Sequence, residues 1–470
     1  MSKTDYDLVV VGAGPAGMAA ATQACELGLH VLLLDEQPNP GGQIYRDVDH
    51  VPASRTDILG QDYLDGQRLT RRLPHANLEY ARGASVWQVD LHGKVAYTVN
   101  GKGRRVAASR ILLASGALER PMPIPGWTLP GVMTAGAAQI LLKQSGLVSP
   151  NAVLAGSGPL LYLLAVQLVR AGTPPLAIVE TQTWGDFMNS APHLWGALQG
   201  WPYMAKGLSM LREIQAAKVP RFKGATALAC RGEEGVASFH FEAHGKAHAL
   251  QTTAVFLHHG VVPNIQASQS LRLTHHYDDV QQCFKPVVDE WGATSAERIY
   301  AAGDGAGIGG AAAAALSGQL AALKIAHDLE RLDDAWLDQQ AEPLKAQKRR
   351  ELNARPFIDK AYPPYKGAML PDDSTIVCRC EEVTAGDVRR YASLGCLGPN
   401  QTKAFGRVGM GPCQGRYCGL TASQILAQAN GLSMQETGYY RIRPPLKPIT
   451  MGELATVEPE QDELSPLEAS

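Results

Sequence analysis

The sequence predicts an α/β protein in which two βαβ units are followed by a small cysteine-rich domain. Three observations lead to this prediction. A glycine-rich turn follows a short apolar segment at residues 6–11, and a second such turn follows residues 151–155. Four cysteines stand in two close pairs after residue 376. Short apolar strands that alternate with helical stretches are typical of a doubly wound parallel sheet with helices on both faces.

The first βαβ unit runs from Tyr6 to Asp35. A β-branched strand comes first, an alanine-rich helix to Leu27 follows the turn, and a second apolar strand ends in Asp35. Asp35 lies 18 residues after the last glycine of the turn, near the spacing of about 20 residues expected for an acid that binds a ribose hydroxyl. Glu36 is the alternative acid. This order predicts a dinucleotide site, and a glycine-rich turn without a ligand is the simpler alternative.

The first turn reads G-x-G-x-x-G, and each glycine has a physical role. The first allows a sharp turn out of the strand, the second lets a pyrophosphate approach the backbone, and the third lets the helix pack close to the sheet. The helix N-terminus directs free N–H groups toward the phosphates. The candidate cofactor-binding residues of this turn are Gly12, Gly14, Pro15, Ala16 and Gly17.

Composition and charge restrict the function. The net charge of −2 indicates neither nucleic acid nor an anionic membrane surface as a partner.

No basic region, apolar core and cleavage site precede the first strand, so we expect no signal peptide and a cytoplasmic protein. The apolar run Ala152–Val169 is interrupted by a glycine-proline turn, so we expect no transmembrane segment. Four clustered cysteines out of eight indicate a metal centre in a reducing compartment rather than a disulfide scaffold.

Two loops of small residues follow strands of the first unit. The loop at residues 40–45 contains a Gly-Gly pair that can approach a cofactor closely, and the buried strand at residues 110–113 runs into an Ala-Ser-Gly turn. An ordinary turn is the alternative for each loop. The candidate residues here are Gly42, Gln43, Ala114, Ser115 and Gly116.

The second βαβ unit spans residues 151–180. Its turn keeps Gly156 and Gly158, but Leu161 replaces the third glycine and should push the helix away from the strand. Its second strand ends in Glu180, which would favour the free ribose hydroxyls of NADH or of an adenine nucleotide over a 2′-phosphate. The fold of this unit is therefore predicted, while binding of a nucleotide to it stays open.

Two further features allow more than one interpretation. A helical segment that contains Trp184, Trp195 and Trp201 indicates either core packing or a subunit contact. His258 and His259 end a strand, where a histidine pair is either catalytic or, more commonly, structural.

Three motifs together resemble the glutathione-reductase and thioredoxin-reductase class of two-dinucleotide-binding flavoproteins. They are the first glycine turn, the Ala-Ser-Gly turn at residues 114–116, and Ala302-Gly303-Asp304 before an alanine-rich helix. The resemblance covers roughly residues 5–330. It implies FAD, with Asp35 on the adenine ribose, Asp304 on the ribityl chain, and the loop at residues 42–43 near the pyrophosphate or the flavin. Val86 and Gly303 complete the candidate cofactor-binding residues.

This resemblance has one departure. The first 350 residues contain no Cys-x-x-Cys or Cys-x4-Cys pair, so the flavin-coupled disulfide of those reductases is not expected here. Cys25, Cys230 and Cys283 are isolated and are expected to be structural.

The cysteine-rich domain carries Cys378-x-Cys380 and, after 32 residues, Cys413-x4-Cys418. Four thiolates can hold a [2Fe–2S] cluster or a zinc ion. Zinc ribbons usually place their ligands as C-x2-4-C, so the tighter Cys-x-Cys pair favours a cluster. Zinc, or a domain without metal, remains an alternative. Cys396 is not expected to be a ligand.

The cysteine motif with its surrounding glycines resembles the bacterioferritin-associated-ferredoxin-like [2Fe–2S] domain. Its fusion to an FAD core resembles the α (A) subunits of hetero-oligomeric amino- and imino-acid dehydrogenases, a group that includes D-hydroxyproline dehydrogenase, the octopine and nopaline oxidases and hydrogen cyanide synthase. The resemblance implies an electron-transfer subunit with FAD and a cluster, and it allows FMN at a subunit interface. It also implies a D-amino-acid-oxidase-like β subunit that oxidises the substrate, and a small ferredoxin-like γ subunit.

No catalytic acid or base is therefore assigned to this chain. An NAD(P)H-dependent reductase that passes electrons through FAD to the cluster is the main alternative, and a scaffold with an inactive second site is the other.

These features predict five segments. Residues 1–120 and 255–335 form a discontinuous FAD-binding domain, and residues 121–254 form the second nucleotide-binding-like domain with its helical aromatic insert. Residues 336–376 are a linker, and residues 377–435 are the [2Fe–2S] domain. Residues 436–470 form an extended tail, whose acidic end at 457–470 is expected to be disordered.

Overall fold

The computed structural model describes residues 5–457. The first segment forms a parallel sheet with a crossover helix, two hairpin strands and three short helices. Its elements are β1 (Tyr6–Val11), α1 (Pro15–Glu26), β2 (Val31–Asp35), α2 (Ala53–Leu59), α3 (Gln61–Leu64), α4 (Gln67–Thr70), β3 (Leu78–Arg82), β4 (Ser85–Val89), β5 (Lys94–Val99), β6 (Lys102–Leu113) and β7 (Ala117–Glu119).

The second segment contains the other parallel sheet, three helices of an insert and an antiparallel three-stranded sheet. Its elements are β8 (Val132–Thr134), α5 (Ala135–Ser145), β9 (Val153–Ser157), α6 (Pro159–Arg170), β10 (Ala177–Glu180), α7 (Trp184–Ser190), α8 (Leu194–Gln199), α9 (Trp201–Ala216), β11 (Arg221–Phe222), β12 (Thr226–Arg231), β13 (Ser238–Ala243), β14 (Lys246–Gln251), β15 (Val255–His259) and β16 (Val261–Pro263).

The remainder returns to the first sheet and then forms the helical and cysteine-rich part. Its elements are α10 (Gln266–Ser270), β17 (His275–Asp278), β18 (Cys283–Pro286), β19 (Ile299–Ala301), α11 (Ala311–Asp328), α12 (Asp334–Leu352), α13 (Arg355–Ala361), α14 (Lys366–Met369), β20 (Ile376–Cys378), β21 (Val383–Thr384), α15 (Ala385–Ser393), α16 (Pro399–Gly406), α17 (Gly419–Asn430), α18 (Met434–Thr437) and α19 (Met451–Ala455). Short 3₁₀ turns occupy Val48–His50, Ala191–His193 and Gly303–Gly305.

The first sheet has the order β3-β2-β1-β6, with β19 also paired to β6 and the β4–β5 ribbon continuing from β6. Its central strands are parallel. Strand β2 is buried except at its last residue, and β1 is buried at residues 8–10, as their leucine-rich and β-branched sequences predict. The predicted hairpin at Asn100-Gly101 is confirmed: both residues have positive φ, as a type I′ turn requires. The βαβ unit formed by β1, α1 and β2 is likewise confirmed.

Helices α1 and α11 cover one face of this sheet. They pack closely because Gly318 of α11 lies directly against the backbone carbonyl of Ala16, where a Cβ atom would overlap it. The opposite face shares a continuous buried core with the cysteine-rich part, which runs from Val9 and Leu34 through Tyr97 to Cys378 and Cys418. The cysteine domain is therefore docked on the first sheet.

The second sheet has the order β11-β10-β9-β15-β8, and its pairs are parallel. Strand β15 lies between β9 and β8. The boundary expected at residue 255 is therefore wrong, because β15 belongs to the second unit, and the chain returns to the first unit only after β16. A buried apolar strand has the same sequence pattern in either sheet, so composition alone does not assign it.

Two further expectations need correction. The segment predicted as a linker is mainly helical, since α12 packs on α11 and α13 packs against α7. Trp184, Trp195 and Trp201 are 78%, 74% and 66% exposed, so the core interpretation of these side chains is wrong. The tail predicted to be extended at residues 436–470 is only partly so: residues 438–450 contain neither helix nor strand, and Ile442 and Leu446 are buried there, but the end of α18 and the helix α19 also lie in the tail. The expected disorder concerns residues that, except for residue 457, lie outside the described part of the chain.

Candidate functional site

A cavity of about 1280 Å³ opens where the carboxyl ends of β1, β2 and β6 meet. This edge of an open α/β sheet is the place where such folds bind ligands. The cavity extends between the first unit and helices α5, α6 and α9 of the second unit. The candidate residues that line it are Gly12, Gly14, Pro15, Ala16, Asp35, Glu36, Gly42, Gln43, Val86, Ala114, Ser115, Gly116, Gly303 and Asp304.

The three glycines of the first turn have different surroundings. A Cβ at Gly12, which has a φ of 109°, would overlap the carbonyl of Ala114, and a Cβ at Gly17 would overlap the carbonyl of Gly12. A Cβ at Gly14 would meet only the Cα of Gly42, at 3.9 Å. The fold therefore requires Gly12 and Gly17, whereas the missing side chain at Gly14 leaves space in the cavity itself.

Two carboxylates that line the cavity are held by backbone groups. Asp35 accepts hydrogen bonds from the N–H groups of Ala13 at 2.6 Å and Gln37 at 2.8 Å. Asp304 accepts from Gly309 and Gly310 at 2.9 and 3.0 Å through one oxygen, just before α11 begins. A carboxylate has about four acceptor positions, so each group keeps capacity for a ligand hydroxyl.

Lys143 of α5 lines the cavity and is not among the candidate residues predicted from the sequence. Its Nζ donates to the carbonyls of Gln43 and Ile44, at 3.0 and 2.9 Å, and so fixes the loop beside the glycine turn. Burial, with a smaller contribution from Arg46, lowers the pKa of Lys143 to about 7. Lys143 follows Leu142 on the buried face of α5, and this position was the sequence signal that could have marked it as a buried residue.

This burial predicts a pH dependence of stability. The unfolded chain binds more protons than the folded one between pH 7 and the ordinary lysine pKa of 10.5, so this residue makes stability rise with pH in that window. We expect the free energy of unfolding of the wild type to rise relative to Lys143→Met by roughly 2–3 kcal/mol between pH 7 and 9.5. Urea unfolding of both proteins across this range measures the difference. A constant difference would show that Lys143 stays charged in the fold.

The glycine turn of the second unit packs against a histidine. A Cβ at Gly156 would overlap the carbonyl of His258, and a Cβ at Gly158 would lie 3.1 Å from the His258 ring. The Nδ1 atom of that ring lies 2.6 Å from Oε1 of Glu119. The neighbouring His259 is also buried, and burial lowers its pKa well below the usual value. Gly156 and Gly158 do not line the cavity.

Glu180 is fully buried at the end of β10. Its carboxylate accepts hydrogen bonds from the hydroxyl of Tyr162, from Gln182 at 2.9 Å, and from two nitrogens of Arg221 at 2.7 and 3.1 Å. Glu180 does not line the cavity. Its role on a ribose stays a prediction, and these internal partners argue against it.

The four paired cysteines meet in two pairs that differ from the pairs of the sequence. The Sγ atoms of Cys380 and Cys413 lie 3.6 Å apart. Cys378 is paired with Cys418, and the hydrogen bond between their thiols, helped by backbone N–H groups, lowers the pKa of Cys378 to about 6. Cys396 is buried in the hydrophobic core of the domain.

Within residues 5–457, no three side chains of His, Cys, Asp or Glu are grouped closely enough to hold one metal ion. The glycines around the cysteines are also required by packing, because a Cβ at Gly409 or Gly415 would overlap the ring of Tyr440. A Cβ at Gly411 would overlap Cys380.

The cysteine loop reaches the cavity. Arg416 and Tyr417, which lie between Cys413 and Cys418, line it together with Leu446 and Lys447 from the segment after α18. Neither pair could be predicted from the sequence, because nothing local marks contacts between residues so far apart in the chain. Across the described residues, no helix is long and apolar enough to cross a membrane.

Two protein-family models match the chain. The pyridine nucleotide-disulphide oxidoreductase family matches residues 6–319, and the sarcosine oxidase A3 domain matches residues 372–457. The A-subunit of opine oxidase from Rhizobium meliloti is 41% identical over 462 residues, which cover 96% of this chain and 87% of the relative. The HcnB component of hydrogen cyanide synthase from Pseudomonas aeruginosa is 33% identical over 467 residues, which cover 94% of this chain and 96% of the relative.

The solved structure of L-proline dehydrogenase from P. horikoshii has the same fold. It superimposes with a TM-score of 0.70 at 19% sequence identity, over 96% of this chain and 79% of that chain. These matches confirm the resemblance to the A-subunit group and to the two-dinucleotide-binding oxidoreductases. The chain therefore belongs to the A-subunit family of the opine oxidases and is an oxidoreductase with the α/β FAD-binding fold.

Proposed function

We propose that this chain is the electron-transfer subunit of a multi-subunit flavin dehydrogenase or oxidase, with FAD in the large cavity and a [2Fe–2S] cluster on Cys378, Cys380, Cys413 and Cys418. The main support for the proposal is that one continuous cavity reaches both the glycine turn and the cysteine loop. It is lined by the glycine turn at one side and by the cysteine loop at residues 416–417 at another. Two redox groups held in these places would be neighbours.

The cavity residues fit FAD. The open position at Gly14, the N-terminus of α1 and the acid Asp35 match what a pyrophosphate and a ribose require. Asp304 lies where α11 begins, so it can bind a sugar-like chain while the helix terminus faces the flavin. Lys143 fixes the loop at residues 43–44 against this site. FAD would supply the ability to take up two electrons together and release them singly, and the protein supplies position and electrostatics.

The cysteine pairs fit a binuclear centre better than a single ion. A tetrahedral zinc site with Zn–S distances of about 2.3 Å brings all four sulfurs within about 3.8 Å of one another. Here the thiol of Cys380 lies beside that of Cys413, and the thiol of Cys378 is hydrogen-bonded to that of Cys418. Two pairs match the two irons of a [2Fe–2S] cluster, each of which takes two thiolates.

The proposal places substrate oxidation in a separate β subunit that resembles D-amino-acid oxidase, with D-hydroxyproline or an opine as the substrate. The relatives are themselves named as lettered subunits of opine oxidase. This proposal further includes an FMN at an interface between subunits and a small ferredoxin-like γ subunit. Four thiol ligands favour the reducing cytoplasm as the compartment. The exposed Trp184, Trp195 and Trp201 are the proposed contact for the β subunit, since exposed aromatic patches mark interfaces.

The second candidate function is an NAD(P)H-dependent reductase. The complete second βαβ unit, with β9, α6 and β10 in parallel pairing, favours it. The His258 ring beside Gly158 and the internal partners of Glu180 argue against a nucleotide there.

An anaerobic visible spectrum with and without NADH separates the two candidates. We expect the purified chain to show flavin bands over broad iron–sulfur absorbance, with no bleaching after NADH is added, because Glu180 and the second glycine turn are already engaged. Bleaching should follow when D-hydroxyproline or an opine is added together with the β subunit. Rapid bleaching by NADH alone would establish the reductase. A chain without flavin bands after reconstitution with FAD would overturn both candidates.

A further inference from the structure

We propose that residues 443–448, here named the C-terminal strap, form a wall of the adenosine end of the cofactor cavity and link FAD retention to the cysteine loop. This inference rests on the proposed function, because it assumes that FAD is the ligand of the large cavity. The strap lies more than 400 residues from the glycine turn in sequence, and it extends the dinucleotide site with residues from the cysteine-rich part of the chain.

The strap is held against the first sheet at its centre. The N–H of Leu446 donates to the carbonyl of Trp87 at 2.7 Å, and the Leu446 side chain is 6% exposed. Leu446 and Lys447 line the cavity together with Asp35 and Val86. Asp35 is the acid expected on the adenine ribose, so the strap stands at that end of the cavity.

The charged residues beside the strap also support its placement at the adenosine end of the cavity. Strand β2 ends in Asp35, and Glu36 follows it directly, so two consecutive acids lie beside a site proposed for a cofactor that carries negative phosphates. The Nζ of Lys447 forms an ion pair with the carboxylate of Glu36, and its side chain is 30% exposed. The lysine therefore offsets one of the two acids and holds it in place. Without this partner, the carboxylate of Glu36, which already lines the cavity, would carry an unbalanced negative charge there and repel the phosphates of the cofactor.

The other side of the strap is held by the cysteine loop. The side-chain amide of Gln414, the residue after Cys413, donates to the carbonyl of Pro445. Its oxygen accepts from the N–H of Arg443 at 3.4 Å. One glutamine thus contacts the strap on both sides of Pro444, and a change in the cysteine loop is transmitted through the strap to Glu36. Coupling of this kind is reciprocal, so FAD and the cysteine site should stabilise each other.

The test measures the FAD dissociation constant of the full chain, freed of flavin and titrated with FAD while the quenching of flavin fluorescence is followed. We expect Lys447→Gln to weaken binding about tenfold, the size of one hydrogen bond to a charged group, and Gln414→Ala to weaken it roughly three- to tenfold, the size of a hydrogen bond between neutral groups. The control is Lys345→Gln, which removes an ion pair with Glu290 at a place that does not line the cavity, and it should leave the constant unchanged. Melting temperatures of the flavin-free variants confirm that each one folds.

A double-mutant cycle tests whether Lys447 acts on FAD binding through Glu36. In a Glu36→Gln background, Lys447→Gln should cost much less than tenfold, because the charge that the lysine offsets is gone. Unchanged binding in Lys447→Gln and Gln414→Ala, with FAD still bound by the wild type and lost in Gly14→Val, would overturn the strap alone. An equal cost of Lys447→Gln in both backgrounds would overturn its action through Glu36. Absence of FAD binding in the wild type would overturn the proposed function together with the strap.

Discussion

Gly14→Val is expected to abolish FAD binding while the flavin-free protein stays folded. Gly14 has an ordinary φ of −76°, and a Cβ there would meet only the Cα of Gly42 at 3.9 Å. The valine side chain would therefore fit the protein but occupy the part of the cavity where a pyrophosphate must approach α1. The valine side chain would overlap the pyrophosphate, and about two hydrogen bonds to this charged group would be lost. The affinity for FAD should therefore fall about a thousandfold or more. Fluorescence titration with FAD measures this loss.

Two other glycines are matched controls for this variant. Gly17→Ala should destabilise the flavin-free protein itself, because its Cβ would overlap the carbonyl of Gly12. Gly28→Ala has a φ of 81° but no heavy atom within 4 Å of its Cβ, so it should cost about 1 kcal/mol of stability and leave FAD affinity unchanged. Gly14→Val protein that still carries flavin after purification would place the cofactor elsewhere.

The first βαβ unit could be predicted from sequence because its information is local. Strand, turn, helix and second strand follow one another within residues 6–35, and the role of each glycine depends on neighbours that are close in the chain or in the adjacent strand. The hairpin at Asn100-Gly101 is local in the same way. These elements are recognised by periodicity and by positive φ, which a sequence expresses directly.

The rest of the fold depended on contacts that the sequence does not mark. Strand β15 joins the second sheet by pairing with β9, about 100 residues earlier in the chain, and its own pattern fits either sheet. The segment that contains α12 was predicted as a linker because it is charged and is followed by residues rich in Pro and Tyr, and in the structure only Leu337 and Ala341 of this helix are buried. Its few apolar contacts with α11 are enough to hold it, although its composition resembles that of an exposed connection.

The residues of the candidate site also fall into two groups: those that local sequence predicts and those that depend on distant contacts. The glycine turns and acids were recognisable from spacing, whereas Lys143 and Lys447 act through partners 99 or more residues away. Glu180 is the case in which spacing and packing point in different directions. It stands at the position expected for a ribose acid, and its carboxylate also accepts hydrogen bonds from Tyr162 and Arg221, on the adjoining helix and strand. Its role on a ribose stays a prediction, and these buried partners, which spacing does not reveal, argue against it.

Cys413→Ser is expected to lose the iron–sulfur cluster. Its Sγ lies 3.6 Å from that of Cys380 in one of the two thiol pairs, and a serine hydroxyl does not ionise at neutral pH as a ligand thiolate must. Iron should fall from about two atoms per chain to a small fraction of one, and the broad visible absorbance should disappear while flavin bands remain. Metal analysis for iron and zinc, together with the visible spectrum of the anaerobically purified chain, measures both.

Cys396→Ser is the matched control, since it makes the same chemical change at a cysteine outside the two pairs. Cys396 is buried in the core of the same domain with 1% of its surface exposed. Its replacement buries a hydroxyl group and should cost about 1–3 kcal/mol of stability, but iron should stay at the wild-type level. Equal iron loss in both variants would mean that iron content follows the stability of the domain, and it would overturn the ligand assignment. About one zinc per wild-type chain, removed by Cys413→Ser and retained by Cys396→Ser, would keep the four ligands and replace the cluster by a single ion.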